Sequence, residues 1–274
     1  MKLISGAAKL AGVTGWPVAH SRSPRIHGTW IERYGIDGAY VPLAIQPQDF
    51  IPAVQGLAKA GFRGVNVTLP HKETAFALCD EVEEFARRVG AVNMLTFQDG
   101  RIVGRNYDGF GYVANLRAHG VVPGAGPALI LGAGGAARAI AAALQDEGAE
   151  VTLTNRTRER AEELARLVPG ARVLDWERRA EALGDYALLV NTTALGMAGE
   201  GPLEMNLDGA APGLAVSDIV YAPLETALLA NARARGLTPV EGLGMLLHQA
   251  VPAFETWFGV RPEVDDELYR IVAA

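Results

Sequence analysis

Lys72 stands where a purely structural lysine is least expected. It ends the run Asn66-Val-Thr-Leu-Pro-His-Lys72, in which Gly64–Thr68 reads as a short strand and Pro70 breaks it. Lys72 then falls in the first turn of a helix, where a cation opposes the macrodipole and costs a little stability. The chain has 4 lysines among its 25 basic residues, so a lysine inside a motif is a poor candidate for generic surface charge. Other polar groups sit at strand ends, where α/β sheets place ligands. Alternation turns Asn66 and Thr68 to one side, Asn93 follows Ala91-Val92, and Asn106 and Asp108 precede Gly109. Asn and Asp-Gly are also turn formers, so both readings stand for each. Ser21-Arg-Ser-Pro24 opens a helix, and two hydroxyls beside free helix N–H groups suit a carboxylate. An N-cap at Ser23, with Pro24 at the first helical position, accounts for the same residues.

A second constellation lies at Leu129-Ile-Leu-Gly-Ala-Gly-Gly-Ala-Ala-Arg138, a glycine turn between a buried strand and a helix of small residues. Gly132-x-Gly134-Gly135-x-Ala137 is a variant of the dinucleotide fingerprint: glycines admit a pyrophosphate to the backbone, and the helix N-terminus offers N–H groups. The next strand ends in Asn155-Arg156-Thr157-Arg158-Glu159-Arg160. An NAD site usually carries an acidic residue there for the ribose 2′-hydroxyl. Its replacement by Asn155 and a basic stretch favours NADP over NAD, because a guanidinium can hold a 2′-phosphate bidentately. Thr157 would also serve as an ordinary helix N-cap.

The elements that must hold these groups follow from the apolar pattern. Strands are expected at Lys9–Thr14, Ala39–Ile45 and Gly64–Thr68, with helices at Pro24–Tyr34 and Pro47–Ala60. The second of these helices would bury Phe50, Ile51, Val54, Leu57 and Ala58 on one face. Ala91–Phe97 and Arg101–Asn106 flank Asp99-Gly100 as a hairpin. Beyond Asp108 the rhythm is βαβαβ with fully apolar strands, hence a parallel sheet covered on both faces. Gly120–Pro127 reads as the joint between the two halves, and Gly242–Phe258 and Glu263–Val272 as closing helices.

Composition narrows the class. Apolar residues make up 49% of the 274, enough for a substantial core, and the net charge of −6 carries no basic block for nucleic acid. A single cysteine, Cys79, excludes a disulfide framework, and five histidines without ligand spacing argue against a metal. With no signal-like or membrane-spanning stretch read in it, the chain is expected to be an intracellular, cytoplasmic protein acting on small molecules.

Taken together, the motifs resemble those of the shikimate dehydrogenases along nearly the whole chain. Nine occur in order: Ser-x-Ser-Pro at 21–24, Asn-Val-Thr-x-Pro-x-Lys at 66–72, Gly-Ala-x-Asn at 90–93, Asn-x-Asp-Gly-x-Gly at 106–111, Gly-Ala-Gly-Gly at 132–135, Asn-Arg-Thr at 155–157, Asn-x-Thr-x-x-Gly-Met at 191–197, Asp-x-Val-Tyr at 218–221 and Gly-x-x-Met-Leu-x-x-Gln at 242–249. One departure is Tyr107, where the family commonly has Thr. The resemblance implies an α/β fold: an N-terminal α/β substrate domain (1–106) completed by C-terminal helices (242–274), plus a Rossmann-type doubly wound NADP-binding domain (107–241), with substrate in the cleft between them. It implies NADPH-dependent reduction of 3-dehydroshikimate to shikimate, on the route to chorismate and the aromatic amino acids. Ser21, Ser23 and Tyr221 would hold the substrate carboxylate, and Thr68, Asn93 and Gln249 the ring hydroxyls. Lys72 and Asp108 would be the catalytic pair. Gly132, Ala133, Gly134, Gly135, Ala136, Asn155, Arg156, Thr157, Arg160, Thr192, Met197 and Gly242 would line the cofactor site. No metal, nucleic acid or membrane is implied, and a homodimer is compatible with the family. Quinate or dual quinate/shikimate dehydrogenation is the nearest alternative. A non-catalytic NADP-binding sensor is another, although a sensor has no need of both Lys72 and Asp108.

Overall fold

The computed structural model describes residues 3–274. Two compact units emerge: residues up to Tyr107 together with Gln249–Ala274, and Asp108–His248. The first contains β1 (Lys9–Gly15), α1 (Ser23–Arg33), β2 (Gly38–Ala44), α2 (Phe50–Lys59), β3 (Gly64–Val67), α3 (Lys72–Leu78), β4 (Glu81–Val82), α4 (Glu84–Val89), β5 (Met94–Gln98) and β6 (Arg101–Arg105). Its six strands lie in the order β2-β1-β3-β5-β6-β4. β1 is parallel to both β2 and β3, whereas β3 meets β5 antiparallel and β5 turns back on β6. The hairpin turns at Asp99 (φ 50°) and Gly100 (φ 75°), two left-handed residues in succession that match the twist of the strands.

Phe50, Val54, Val65, Val67, Ala86, Val92 and Leu95 form one core of this unit. Ile51 does not join it and is 45% exposed. The apolar stripe of α2 is centred on Phe50, Val54 and Leu57, and Ile51 falls on its solvent side. A second, aromatic core gathers Trp30, Phe254 and Trp257 around His27, with Phe258 against Phe254. The His27 ring is fully buried with neither nitrogen hydrogen-bonded, and desolvation holds its pKa down to about 3.

That burial sets an acid limit. As pH falls below about 6.5 the unfolded chain protonates this histidine while the folded protein does not, so stability drops by about 1.4 kcal/mol per pH unit until about pH 3. Urea unfolding of wild type and His27→Phe at pH 7, 5.5 and 4 should show the variant gaining on wild type as pH falls. A pH-independent gap would mean that His27 finds a partner when charged.

The second unit comprises α5 (Asp108–Ala118), β7 (Ala128–Leu131), α6 (Gly135–Asp146), β8 (Val151–Thr154), α7 (Arg158–Leu167), β9 (Arg172–Val173), β10 (Leu188–Asn191), β11 (Ala215–Asp218), α8 (Ala227–Ala234) and β12 (Thr238–Val240). All pairings are parallel, in the order β12-β11-β10-β7-β8-β9. This is the doubly wound order, with the strand sequence switching sides between β7 and β10. α9 (Leu243–Phe258) begins in this unit and ends in the first, and α10 (Asp266–Ala273) closes the chain.

Gly120–Pro127 is not the joint. It lies wholly inside the second unit, because α5 sinks Tyr112 and Leu116 into the same core as Ala137 and Ile140 of α6. The division falls at 107/108 and 248/249, against the 106/107 and 241/242 drawn from motifs. The first residues of α9 stay with the second unit: Met245 packs on that core and Gly244 lies against the Asn115 amide.

Candidate active site

In the first unit, strand register gathers the polar residues. Val13 and Asn66 are neighbours on β1 and β3, and Asn66 faces Met94 on β5. The Thr68 N–H donates to the Thr14 carbonyl (2.9 Å) and the Val67 N–H to the Asn93 carbonyl (2.8 Å). The end of β3 and the approach to β5 therefore lie side by side. Lys72 opens α3, and its carbonyl accepts the Val92 N–H at 3.0 Å, one residue before Asn93. The turn leading to it is pinned by His71, whose Nε2–H donates to the Ile45 carbonyl (2.8 Å) and whose ring stacks on Phe50.

Asn93 is clamped from two sides. Its Oδ1 accepts the Tyr107 N–H (2.9 Å), and its Nδ2 donates to Gln249 Oε1 (3.3 Å). This fixes the orientation of the Asn93 amide. Tyr107 serves this clamp through its backbone, so a Tyr in place of Thr keeps the link. Asn106 ties the same segment from below, Nδ2 to the Ala91 carbonyl at 3.0 Å.

The helix cap differs from expectation. α1 begins at Ser23 itself, with Arg22 at the cap position and no side-chain cap bond. Ser21 Oγ instead accepts the Ser23 N–H at 3.3 Å, so Ser21 performs the capping role that sequence assigns to Ser23. Ser23 itself is buried, 4% exposed.

Asp108 and Tyr221 belong to the second unit. Asp108 is the first residue of α5 and only 7% exposed. Tyr221 follows β11 on a segment shaped by buried Asp218, which accepts from Asn191 Nδ2 (2.9 Å), the Val220 N–H (3.0 Å) and Thr226 Oγ1 (2.8 Å). Burial raises the Asp218 pKa, and the hydrogen bonds oppose that. Asn191 also accepts from the Thr193 N–H and hydroxyl and donates to the Leu195 carbonyl, folding the loop after β10.

That loop forms one wall of a cavity of about 250 Å³. Gly132, Ala133, Gly134, Asn155, Arg156 and Thr192 line it as expected, with Thr193 of the Asn-x-Thr motif, joined by Trp176, Ala194, Leu195 and Glu200, which the motifs did not single out. Gly132 is obligatory: its φ is +108°, and a Cβ would sit 2.6 Å from Thr192 Oγ1. A Cβ on Gly134 or Gly135 would instead meet nothing within 4 Å. These two glycines leave open space over the N-terminus of α6, whose cap residue Gly134 offers no side-chain bond to the first N–H groups. A pyrophosphate fits such a cradle. Ala136 lies in the first turn of α6. Gly242 packs so tightly on the Ile219 and Val220 carbonyls that any side chain would clash, and Met197 is 41% exposed.

At the end of β8, Asn155 Nδ2 donates to the Thr157 carbonyl (2.8 Å). Thr157 is the cap residue of α7 yet makes no side-chain cap bond. Arg158 is committed to Glu162 and Asp175, whereas among the described residues no carboxylate pairs with Arg156 or Arg160, both exposed. Two uncommitted guanidiniums beside a phosphate cradle fit a further phosphate group. Among the described residues no group of His, Cys, Asp or Glu could hold a metal ion, and no helix is long and apolar enough to cross a membrane.

Comparison with known proteins accords with this layout. The family model for the shikimate dehydrogenase substrate binding domain matches residues 13–95. The shikimate/quinate 5-dehydrogenase model matches 124–196, and the shikimate 5′-dehydrogenase C-terminal domain model matches 242–266. The chain is 68% identical over 272 residues to the shikimate dehydrogenase (NADP(+)) of Acidiphilium cryptum, covering 99% of this chain and 98% of that protein. It is 55% identical to the enzyme of that name from Rhodospirillum rubrum, over 98% of this chain and 99% of the other. A crystal structure of shikimate 5-dehydrogenase from Thermus thermophilus, in complex with NADP(H) and shikimate, superposes with a TM-score of 0.88 at 38% identity, covering 97% of this chain and 98% of that one.

Proposed function

The chain belongs to the shikimate dehydrogenase family, and from that premise we propose that it catalyses the reversible, NADPH-dependent reduction of 3-dehydroshikimate to shikimate. The observation that carries the reading is the Asn93 clamp: Gln249 and the Tyr107 backbone fix a donor pair beside the segment bonded to Lys72. Ring hydroxyls of a polyhydroxylated substrate suit those donors, together with the Thr68 hydroxyl. Ser21, Ser23 and Tyr221 offer hydroxyls to its carboxylate.

NADPH, when bound, supplies the hydride to the C3 carbonyl carbon. Arg156, Thr157 and Arg160 hold its 2′-phosphate, and Gly134 and Gly135 admit the pyrophosphate to the start of α6. Lys72 places its ammonium on the C3 oxygen, stabilises the negative charge that develops there, and Lys72 with Asp108 manages the proton that oxygen must receive. Asp108 would orient the lysine. A cytoplasmic biosynthetic role on the route to aromatic amino acids goes with this reading, as does pairing of two copies, which light scattering would test.

A spectrophotometric assay of shikimate and quinate oxidation, each with NADP⁺ and NAD⁺, tests the function. Shikimate with NADP⁺ should give by far the largest kcat/KM. Comparable quinate turnover would point to the dual enzyme, and no turnover with either would point to the sensor. Ser21→Ala should raise KM for shikimate ten- to a hundredfold, the scale of a hydrogen bond to a carboxylate. It should also lower stability by about 1 kcal/mol, because Ser21 now carries the capping role. Steady-state kinetics with a thermal melt separates the two effects, and an unchanged KM would remove Ser21 from the carboxylate site.

A further inference from the structure

Beneath the proposed substrate residues runs a buried chain of hydrogen bonds that starts from Tyr40, a residue no motif marks. Tyr40 on β2 donates its hydroxyl to Asn66 Oδ1 on β3 at 2.7 Å, and Asn66 Nδ2 donates to the Asn93 carbonyl at 3.3 Å. Tyr40 and Asn66 are each less than 10% exposed, so water does not replace these bonds.

The geometry is built into the sheet. β1 lies between β2 and β3, and the register aligns Tyr40, Ala11 and Gly64 across all three strands. Side chains in such a row share one face. Ala11 and Gly64 keep that row low, which lets the phenol reach across β1 toward Asn66. Trp257 fills the space over Gly64, where a Cβ would collide with its indole. On its other side the Tyr40 ring lies flat on His27, centroids 3.9 Å apart and planes within 1°. The phenol thus has one place to go, and its hydroxyl is aimed by packing.

We propose that Tyr40 is a positioning residue for the substrate site, holding Asn66 and, through it, the Asn93 peptide on the ring-hydroxyl side. The inference rests on the functional reading above. Its content is a placement: Asn93 is set by a polar path that begins on β2, far from it in sequence. A ligand whose ring hydroxyls meet Asn93 senses that placement, whereas the cofactor does not.

Steady-state oxidation of shikimate by purified Tyr40→Phe tests this. The variant keeps the ring and its stack on His27 and loses only the hydroxyl. KM for shikimate should rise about tenfold, with kcat within threefold of wild type and KM for NADP⁺ unchanged. Asn66→Ala removes the same path without touching the aromatic stack and should give the same signature. KM does not depend on the fraction of folded enzyme, so partial misfolding cannot imitate it. A KM for shikimate within twofold of wild type in both variants overturns the proposal. So does a loss confined to kcat and thermal stability, which would make the network ordinary core. A wild-type protein that does not oxidise shikimate overturns the functional reading and this inference with it.

Discussion

Lys72→Ala is expected to lower kcat for shikimate oxidation by at least ~10²-fold, the usual scale for a positioned proton-transfer group, with a smaller change in KM. The structure lets this loss be separated from misfolding. The Lys72 carbonyl accepts the Val92 N–H, and alanine keeps that bond. Alanine is also the better helix former and removes a cation from the first turn of α3, so the melting temperature should hold or rise. A dead enzyme that is as stable as wild type is the expected pair of results. Turnover within a few-fold of wild type would reduce Lys72 to a binding residue. Asp108→Asn, nearly isosteric at the start of α5, should also cut kcat strongly, and retained turnover would show that the carboxylate charge is not needed.

What could be read in the sequence, and what could not, divides along physical lines. β7, α6, β8 and α7 were legible because their signals are local: short apolar runs, a glycine turn, and Thr157 directly before α7. α5 was not legible. Its sequence Asp-Gly-Phe-Gly-Tyr-Val-Ala-Asn-Leu-Arg-Ala carries two glycines and buries Asn115, which donates to the Glu241 carbonyl at 2.8 Å. Neither feature gives a clean apolar stripe, and tertiary packing makes the helix. The two-residue strand β4 and the short β12 fall below any periodic signal. The Ser23 cap failed because α1 already begins at Ser23, whose N–H is accepted by Ser21 Oγ. Asn93 and Gln249, bonded across 156 positions, could be brought together only by motif resemblance, since no spacing rule spans that distance. Trp176 entered the cofactor cavity unannounced: it follows edge strand β9, and its ring lies under the Arg179 guanidinium at 4.1 Å, a contact that sequence does not encode locally.

Arg156→Ala is expected to raise KM for NADP⁺ roughly ten- to a hundredfold, the worth of a lost charge-assisted contact of a few kcal/mol, while barely changing KM for NAD⁺. The argument is one of commitment. Three guanidiniums cluster at the end of β8 and the start of α7. Arg158 already holds Glu162 and Asp175, so it has little charge left to offer an anion. Arg156 lines the cavity with Gly132–Gly134 and Asn155, is exposed, and pairs with no carboxylate among the described residues. Binding a phosphate there breaks no existing ion pair. Thr157 reinforces the site: its hydroxyl makes no cap bond to α7 and can donate to the same oxygens. Arg160, about one helical turn further on, adds a second positive charge. Because the 2′-phosphate is the only group that distinguishes the two cofactors, the ratio of the two KM values isolates the contact from any general loosening. Equal weakening of both would mean that Arg156 touches the shared adenosine or supports the fold. Arg158→Ala is the internal control: it should cost stability through Glu162 and Asp175 and leave the NADP⁺/NAD⁺ ratio near that of wild type. If the two variants exchanged these effects, the assignment of the phosphate to Arg156 would be reversed.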